Sequence, residues 1–204
     1  MPTLLCRPPT AARRLVTGAE VPVAELVRSA GAGDRAAWDA LVARYAGLVW
    51  SVARGYRLQG EDAADVFQTT WLRLVEQLPR IREPDRVGGW LATTARRECL
   101  RVLRRSGRET VSQAEVLEAV PDDVPAFDET LARAEQREAL WHHLQTSSDR
   151  CRRLLRVLVA DPPLSYTEVA EVLEMPIGSI GPTRRRCLEQ LRKRLEEAGV
   201  DVDL

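Results

Sequence analysis

The chain has 204 residues, room for one ordinary domain or two small ones, and its 45% apolar content permits packed cores. Twelve glycines and 5% aromatics argue against a β-rich fold. Thirty basic and 30 acidic residues cancel, which excludes a uniformly basic nucleic-acid binder. The charge is uneven, however: residues 1–110 carry 18 basic against 12 acidic side chains, residues 111–135 one against seven, and residues 136–204 eleven against eleven. A basic block, an acidic middle and a mixed end suit different partners. All basic residues except Lys193 are arginine. A GC-rich genome accounts for most of that bias, although arginine also suits phosphate and guanine contacts.

Taken in chain order, residues 1–20 are expected to form a mobile tail, because MPTLLCRPPTAARRLVTG has prolines and arginines where a secretion signal needs an apolar stretch. Residues 21–106 then hold four helical segments. Pro22 opens the first, with Val23, Leu26, Val27 and Ala30 on one side and Gly31 at its end. Asp34 caps the second, in which Trp38, Leu41, Val42, Tyr45, Leu48, Val49, Val52 and Tyr56 recur at helical spacing and Gly47 is a possible break. The third runs from about Asp62 to Leu78 and the fourth from about Gly89 to Arg105, with a loop fixed by Pro79 and Pro84 between them.

Residues 107–127 lose the helical period and collect Asp, Glu, Pro and Ser, the composition of a linker that could reach roughly 70 Å. The helical pattern returns from about Asp128: Leu131, Ala134, Leu140, Trp141 and Leu144, then Leu154, Leu155, Leu158 and Val159, ending at Pro162 and Pro163. A helix-turn-helix pattern follows over residues 165–195. Ser165 and Glu168 have capping-box spacing, Val169, Ala170, Val172 and Leu173 give an apolar side, Pro176 stops the helix, and Ser179 is placed to cap the next one. In that last helix Ile180, Cys187, Leu191 and Leu195 are expected inward and Arg185, Arg186, Glu189, Arg192 and Lys193 outward, while Arg184 falls in the inward sector by phase and bends to its edge. Two helices joined this way can lay the second in a DNA groove.

Two helical faces ask for partners. On the third helix Ala64, Phe67, Trp71, Leu74, Val75 and Leu78 form a core stripe, and Asp65, Gln68, Leu72 and Glu76 gather beside it as either a solvated or a docking face. On the fourth, Leu91, Ala92, Ala95, Cys99, Val102 and Leu103 face the core. Nearly opposite lie Trp90, Thr94, Arg97, Arg101, Arg104 and Arg105, with Arg96 and Arg108 nearby and only Glu98 to offset them. Such a face repels itself unless anions neutralise it, and phosphates do so; a solvated surface is the alternative.

The stretches GDRAAWDALVARYAGLVW, DAADVFQTTWLRLVEQLP, GGWLATTARRECLRVLRR and SYTEVAEVLEMPIGSIGPTRRRCLEQLRKRL, in this order and separated by an acidic segment, resemble bacterial sigma factors of the extracytoplasmic-function group in the sigma-70 family. The resemblance covers about residues 21–200. It implies an all-α protein of two small helical domains joined by a flexible acidic linker: a region 2-like domain over 21–106, the linker over 107–127, and a region 4-like domain over 128–204 containing the helix-turn-helix. It implies docking of Asp65, Gln68, Leu72 and Arg73 on the clamp helices of the largest RNA polymerase subunit. It further implies recognition and melting of the −10 element by Arg80, Arg82, Arg86, Trp90, Arg97, Arg101, Arg104 and Arg105, with an unpaired base captured by the loop from Arg80 to Val87. The second domain would read the −35 element through Ser179, Thr183, Arg184, Arg185, Arg186 and Lys193 and bind the flap of the second-largest subunit. An anti-sigma protein is a further candidate partner, and a cytoplasmic location follows. Family members often carry Asn and Asp where this chain has Arg97 and Arg101, and a Lys-Ser-Arg run where it has Gly181, Pro182 and Thr183, so no promoter sequence is read from these residues.

The rival reading is a stand-alone helix-turn-helix regulator, which would need a ligand pocket or dimer interface that the first half does not advertise. An enzyme is not expected. His142 and His143 are adjacent on a helix, point about 100° apart and are read as solvent-exposed, and no P-loop, nucleophile elbow or paired-carboxylate motif is present. Cys6, Cys99, Cys151 and Cys187 lack metal-ligand spacing, so reduced thiols, no metal and no cofactor are expected.

Overall fold

Eight α-helices and two short 3-10 turns make up the described parts of the chain, residues 21–107 and 131–200 of the computed structural model, with no strand among them. The tail over 1–20 and most of the linker lie outside the described residues. Helix α1 (Val23–Gly31) follows Pro22, and α2 (Arg35–Gly55) is capped by Asp34, whose carboxylate accepts the amides of Ala36 and Ala37 at 2.9 and 3.3 Å. Gly47 does not divide α2, which runs unbroken through 21 residues. Helix α3 spans Gly60–Gln77, and 3-10 turns at Leu78–Arg80 and Pro84–Arg86 lead into α4 (Val87–Arg105).

The helical pattern after residue 128 resolves into two helices, α5 (Leu131–Gln145) and α6 (Asp149–Leu158). The break comes where the Ser148 hydroxyl accepts the amide of Cys151 and starts a new helix. Helix α7 (Tyr166–Leu173) has the full capping box: Ser165 accepts the Glu168 amide at 3.3 Å, and the Glu168 carboxylate accepts the Ser165 amide at 2.9 Å. Helix α8 (Ile177–Glu197) begins two residues before the expected Ser179 cap. Ser179 instead sits in the first turn and donates its hydroxyl to the Pro176 carbonyl at 2.7 Å. Pro182 lies inside α8 and has no amide for the carbonyl of Gly178, yet the helix continues past it.

The two halves share a core. Leu41, Leu48, Val49 and Val52 of α2 and Leu91, Ala92, Ala95 and Cys99 of α4 are buried together with Leu154 and Val157 of α6, Val169 and Val172 of α7 and Ile180 of α8. Trp50 stacks on Phe67 at 4.9 Å, and Trp38 meets Trp71 edge-on at 5.7 Å. The joint is tight at the start of α4. A Cβ on Gly88 would lie 3.0 Å from the Tyr45 ring and 3.2 Å from Leu164, and one on Gly89 2.8 Å from the Glu168 carboxylate. Two glycines weaken a helix, but here they admit α2 and the approach to α7 at once.

A smaller cluster of Leu144, Leu155, Leu191 and Leu195 surrounds a disulfide between Cys151 and Cys187. This corrects the expectation of reduced thiols throughout: the two cysteines are far apart in sequence, but α6 and α8 cross with their Cα atoms 5.4 Å apart. Cys99 is a free thiol whose burial pushes its pKa up to about 12.

Candidate polymerase and nucleic-acid interface

On α3, Asp65 and Gln68 are exposed, and Leu72 is 61% exposed. Val75, expected in the core, joins them at 49%. The inward stripe runs through Ala63, Val66, Thr70, Trp71 and Leu74, so Val75, one residue round from Leu74, falls outside it. Arg73 turns the other way: its Nε lies 2.8 Å from the Glu98 carboxylate on α4. Glu98 is only 6% exposed and also meets Arg101 at 3.2 Å. The residue that offsets charge on the fourth helix is therefore a buried brace between α3 and α4.

Residues on and before α4 enclose an open concavity of about 410 Å³, lined among others by Arg80, Arg82, Arg86, Trp90 and Arg97. These five expected −10 residues are brought together by the 3-10 turns, which fold the loop back over the first turns of α4. Gln77 and Thr93 also line it, which the helical phase did not single out. Thr94 is largely buried at its floor. Arg101, Arg104 and Arg105 lie further along α4, exposed and outside the concavity.

The α7 end supplies carboxylates to this surface. Arg86 donates through Nη2 to both Glu171 oxygens at 2.8 Å, and Arg96 meets both oxygens of Glu174 at 2.6 Å. The Arg96 hydrogen bonds hold the Glu174 carboxyl below its usual range, and the Glu171 carboxylate raises the Arg86 guanidinium pKa. Glu171 and Glu174 carried no signal in the sequence, since a charged residue in a helix of mixed composition reads as solvated.

On α8, Arg184, Arg185 and Arg186 are all exposed, as is Lys193. Thr183, expected at DNA, instead faces inward at 4% exposure and takes the core position that phase had assigned to Arg184. Both lie near the stripe through Ile180, Cys187, Leu191 and Leu195, and the cost of burying a guanidinium decides which turns in. Arg185 pairs with Glu189 at 3.7 Å and Lys193 with Glu197 at 3.8 Å, both on the exposed surface. His142 is exposed and His143 half-buried, with burial followed by the neighbouring His142 lowering the His143 pKa.

Residues 41–109, which include the α3 and α4 faces, match the sigma-70 region 2 family. The chain is 32% identical over 174 residues to the ECF RNA polymerase sigma factor SigE of Mycolicibacterium smegmatis, covering 80% of this chain and 64% of that protein. The chain belongs to the extracytoplasmic-function sigma factors of the sigma-70 family. This sigma factor thus spans less than two thirds of the length of SigE. It spans 93% of the ECF RNA polymerase sigma-E factor of Salmonella typhimurium, at 24% identity over 179 residues and 84% of its own length. Its fold matches that of CnrH, solved in complex with the cytosolic domain of CnrY, at a TM-score of 0.58 and 21% identity, over 86% of this sigma factor and 98% of that chain. The family is not in general one of enzymes. No described helix is long and apolar enough to cross a membrane.

Proposed function

We propose that this sigma factor binds core RNA polymerase, directs it to −10 and −35 promoter elements and helps to melt the −10 DNA. The carrying observation is the arginine-lined concavity on α4, which falls within the stretch that matches sigma-70 region 2. Arginines converging on a hollow of about 410 Å³ suit phosphates around an extruded base, and Trp90 offers a stacking surface. The exposed Asp65, Gln68 and Leu72 face is the docking surface for the clamp helices of the largest subunit, and Val75 extends its apolar part. The exposed Arg184 to Arg186 run and Lys193 contact −35 DNA, and the second half meets the flap of the second-largest subunit. The relatives named as RNA polymerase sigma factors support this reading. An anti-sigma protein is a further proposed partner, and the cytoplasm the proposed location.

The test is reconstituted transcription. Core polymerase with this chain should initiate at defined sites whose upstream sequences share two elements, and core polymerase alone should not. Initiation independent of the added chain would sink the proposal, and tight binding of the chain alone to a specific duplex would point instead to a stand-alone regulator.

A further inference from the structure

Helix α4 carries five arginines and one acidic residue, Glu98. A carboxylate that merely offset those arginines would sit among them in solvent. Glu98 is instead buried at the seam with α3, and guanidiniums from two helices reach it. Arg73 of α3 brings Nε to 2.8 Å from Oε1, and Arg101, one turn further along α4, brings Nη1 to 3.2 Å from Oε2. Each carboxylate oxygen thus has its own arginine. The Arg73 contact is one of charge, since Nε finds no aligned hydrogen-bond acceptor among the described residues. A buried ion pair stabilises a fold no better than apolar side chains of the same volume, so its use points to what it holds in place. Arg73 is drawn from the α3 side toward α4, while its neighbour Leu72 stays on the exposed docking face. Arg101 remains exposed and meets the carboxylate through a single nitrogen, which leaves the other donors of its guanidinium for a phosphate. A long side chain gripped at one corner has given up much of its rotamer freedom before DNA arrives.

We infer that Glu98 is a positioning residue for −10 DNA: anchored by Arg73, its carboxylate holds Arg101 in the pose in which Arg101 takes a promoter phosphate. Arg73 accordingly serves the DNA step and not polymerase docking. This deepens, and rests on, the promoter reading of the α4 surface given above.

The experiment uses core polymerase reconstituted with the full chain, on a promoter at which the wild type initiates. Affinity for labelled core enzyme is measured first. The rate of open-complex formation is then read from a fluorescent base in the −10 element over a range of salt. E98Q should keep its core affinity and open the promoter about tenfold more slowly, the worth of one charge-assisted contact. Its rate should also depend less steeply on salt, by about one phosphate contact, as for R101A. Removing a negative charge from a DNA-facing helix would by itself act with the opposite sign and speed opening. In E98Q/R101A the loss should equal that of R101A alone, whereas a general loosening of the fold would multiply with it. R73A should resemble E98Q, with core affinity intact, and not D65A/Q68A. E98M fills the same space without a buried charge, so slow opening at a wild-type melting temperature excludes misfolding as the cause. The inference is overturned if E98Q or R101A opens the promoter at the wild-type rate or faster, if the two losses multiply, or if R73A weakens core binding. A wild-type chain that cannot direct core polymerase overturns the promoter reading and this inference together; the inference alone fails when the wild type initiates and E98Q matches it.

Discussion

Arg152 is 1% exposed, and its guanidinium is almost fully spoken for: it donates to the carbonyls of Gly55, Gln145 and Ser147 at 3.1 to 3.3 Å and to Asp149 at 2.7 Å. It ties the end of α2 to the α5–α6 turn, and Asp149 also meets Arg153 at 3.1 Å. Burial alone would raise the Asp149 pKa, but the Arg152 hydrogen bond and the charges of Arg152, Arg153 and Arg57 outweigh it and hold the carboxyl below its ordinary range. A depressed carboxylate stabilises the fold above its unfolded value, near pH 4, and the contribution fades as pH falls through the lower native value. Asp149→Asn should therefore cost about 1–2 kcal/mol at neutral pH, reduced from the buried-pair figure because Asp149 is 49% exposed. Urea midpoints of the two proteins should converge as pH drops from about 4 to 2; a gap that persists unchanged would remove the ion pair from the explanation. None of this is legible in the sequence, where Arg152 sits in a run of arginines and its acceptors are backbone carbonyls 97, 7 and 5 residues away.

Among the elements, α3 shows how far periodicity reaches. A 100° phase finds the exposed Asp65–Gln68–Leu72 face without a structure, because it is a property of one helix. Of its expected inward stripe, however, only Trp71, Leu74 and Leu78 are buried, the other buried positions being Ala63, Val66 and Thr70. The phase misjudges Val75, which falls beyond the packed edge, and it has nothing to say of Arg73, which is drawn in by Glu98 across the α3–α4 contact. The caps at Asp34 and Ser165 were legible because each is a local bond between a side chain and the next turn. For the docking face the expected outcome is concrete. Asp65→Ala with Gln68→Ala should weaken association with core polymerase about tenfold, as truncation of two interface polar groups does. The melting temperature should stay near wild type, since both side chains are exposed. Titration against labelled core enzyme measures the first and calorimetry the second; unchanged affinity would move the docking surface elsewhere.

At the scale of the whole molecule, each half was recognisable from its own pattern, but the joint was not. Val169 and Val172 announce an apolar face on α7, and nothing in their spacing says that α4 lies across from it. Gly88 and Gly89 are the nearest thing to a signal, two helix-weakening residues whose use appears only when Tyr45 and Glu168 close on them. The Cys151–Cys187 bond is likewise a tertiary fact, made by the crossing of α6 and α8 around the small cluster of Leu144, Leu155, Leu191 and Leu195. A cluster that small leaves the contact of α6 with the later turns of α8 dependent on its crosslink. Closing 36 residues of sequence removes freedom from the unfolded chain worth about 2–4 kcal/mol. Reduction, or Cys151→Ser with Cys187→Ser, should then lower the melting temperature by roughly 5–15 °C for a chain of this length. Thiol titration of the denatured protein gives the matching chemical count: Cys99 should react before and after reduction, and Cys151 and Cys187 should add two thiols only after it. Four reactive thiols before reduction, or a melting temperature indifferent to reductant, would show that packing alone holds α6 to α8.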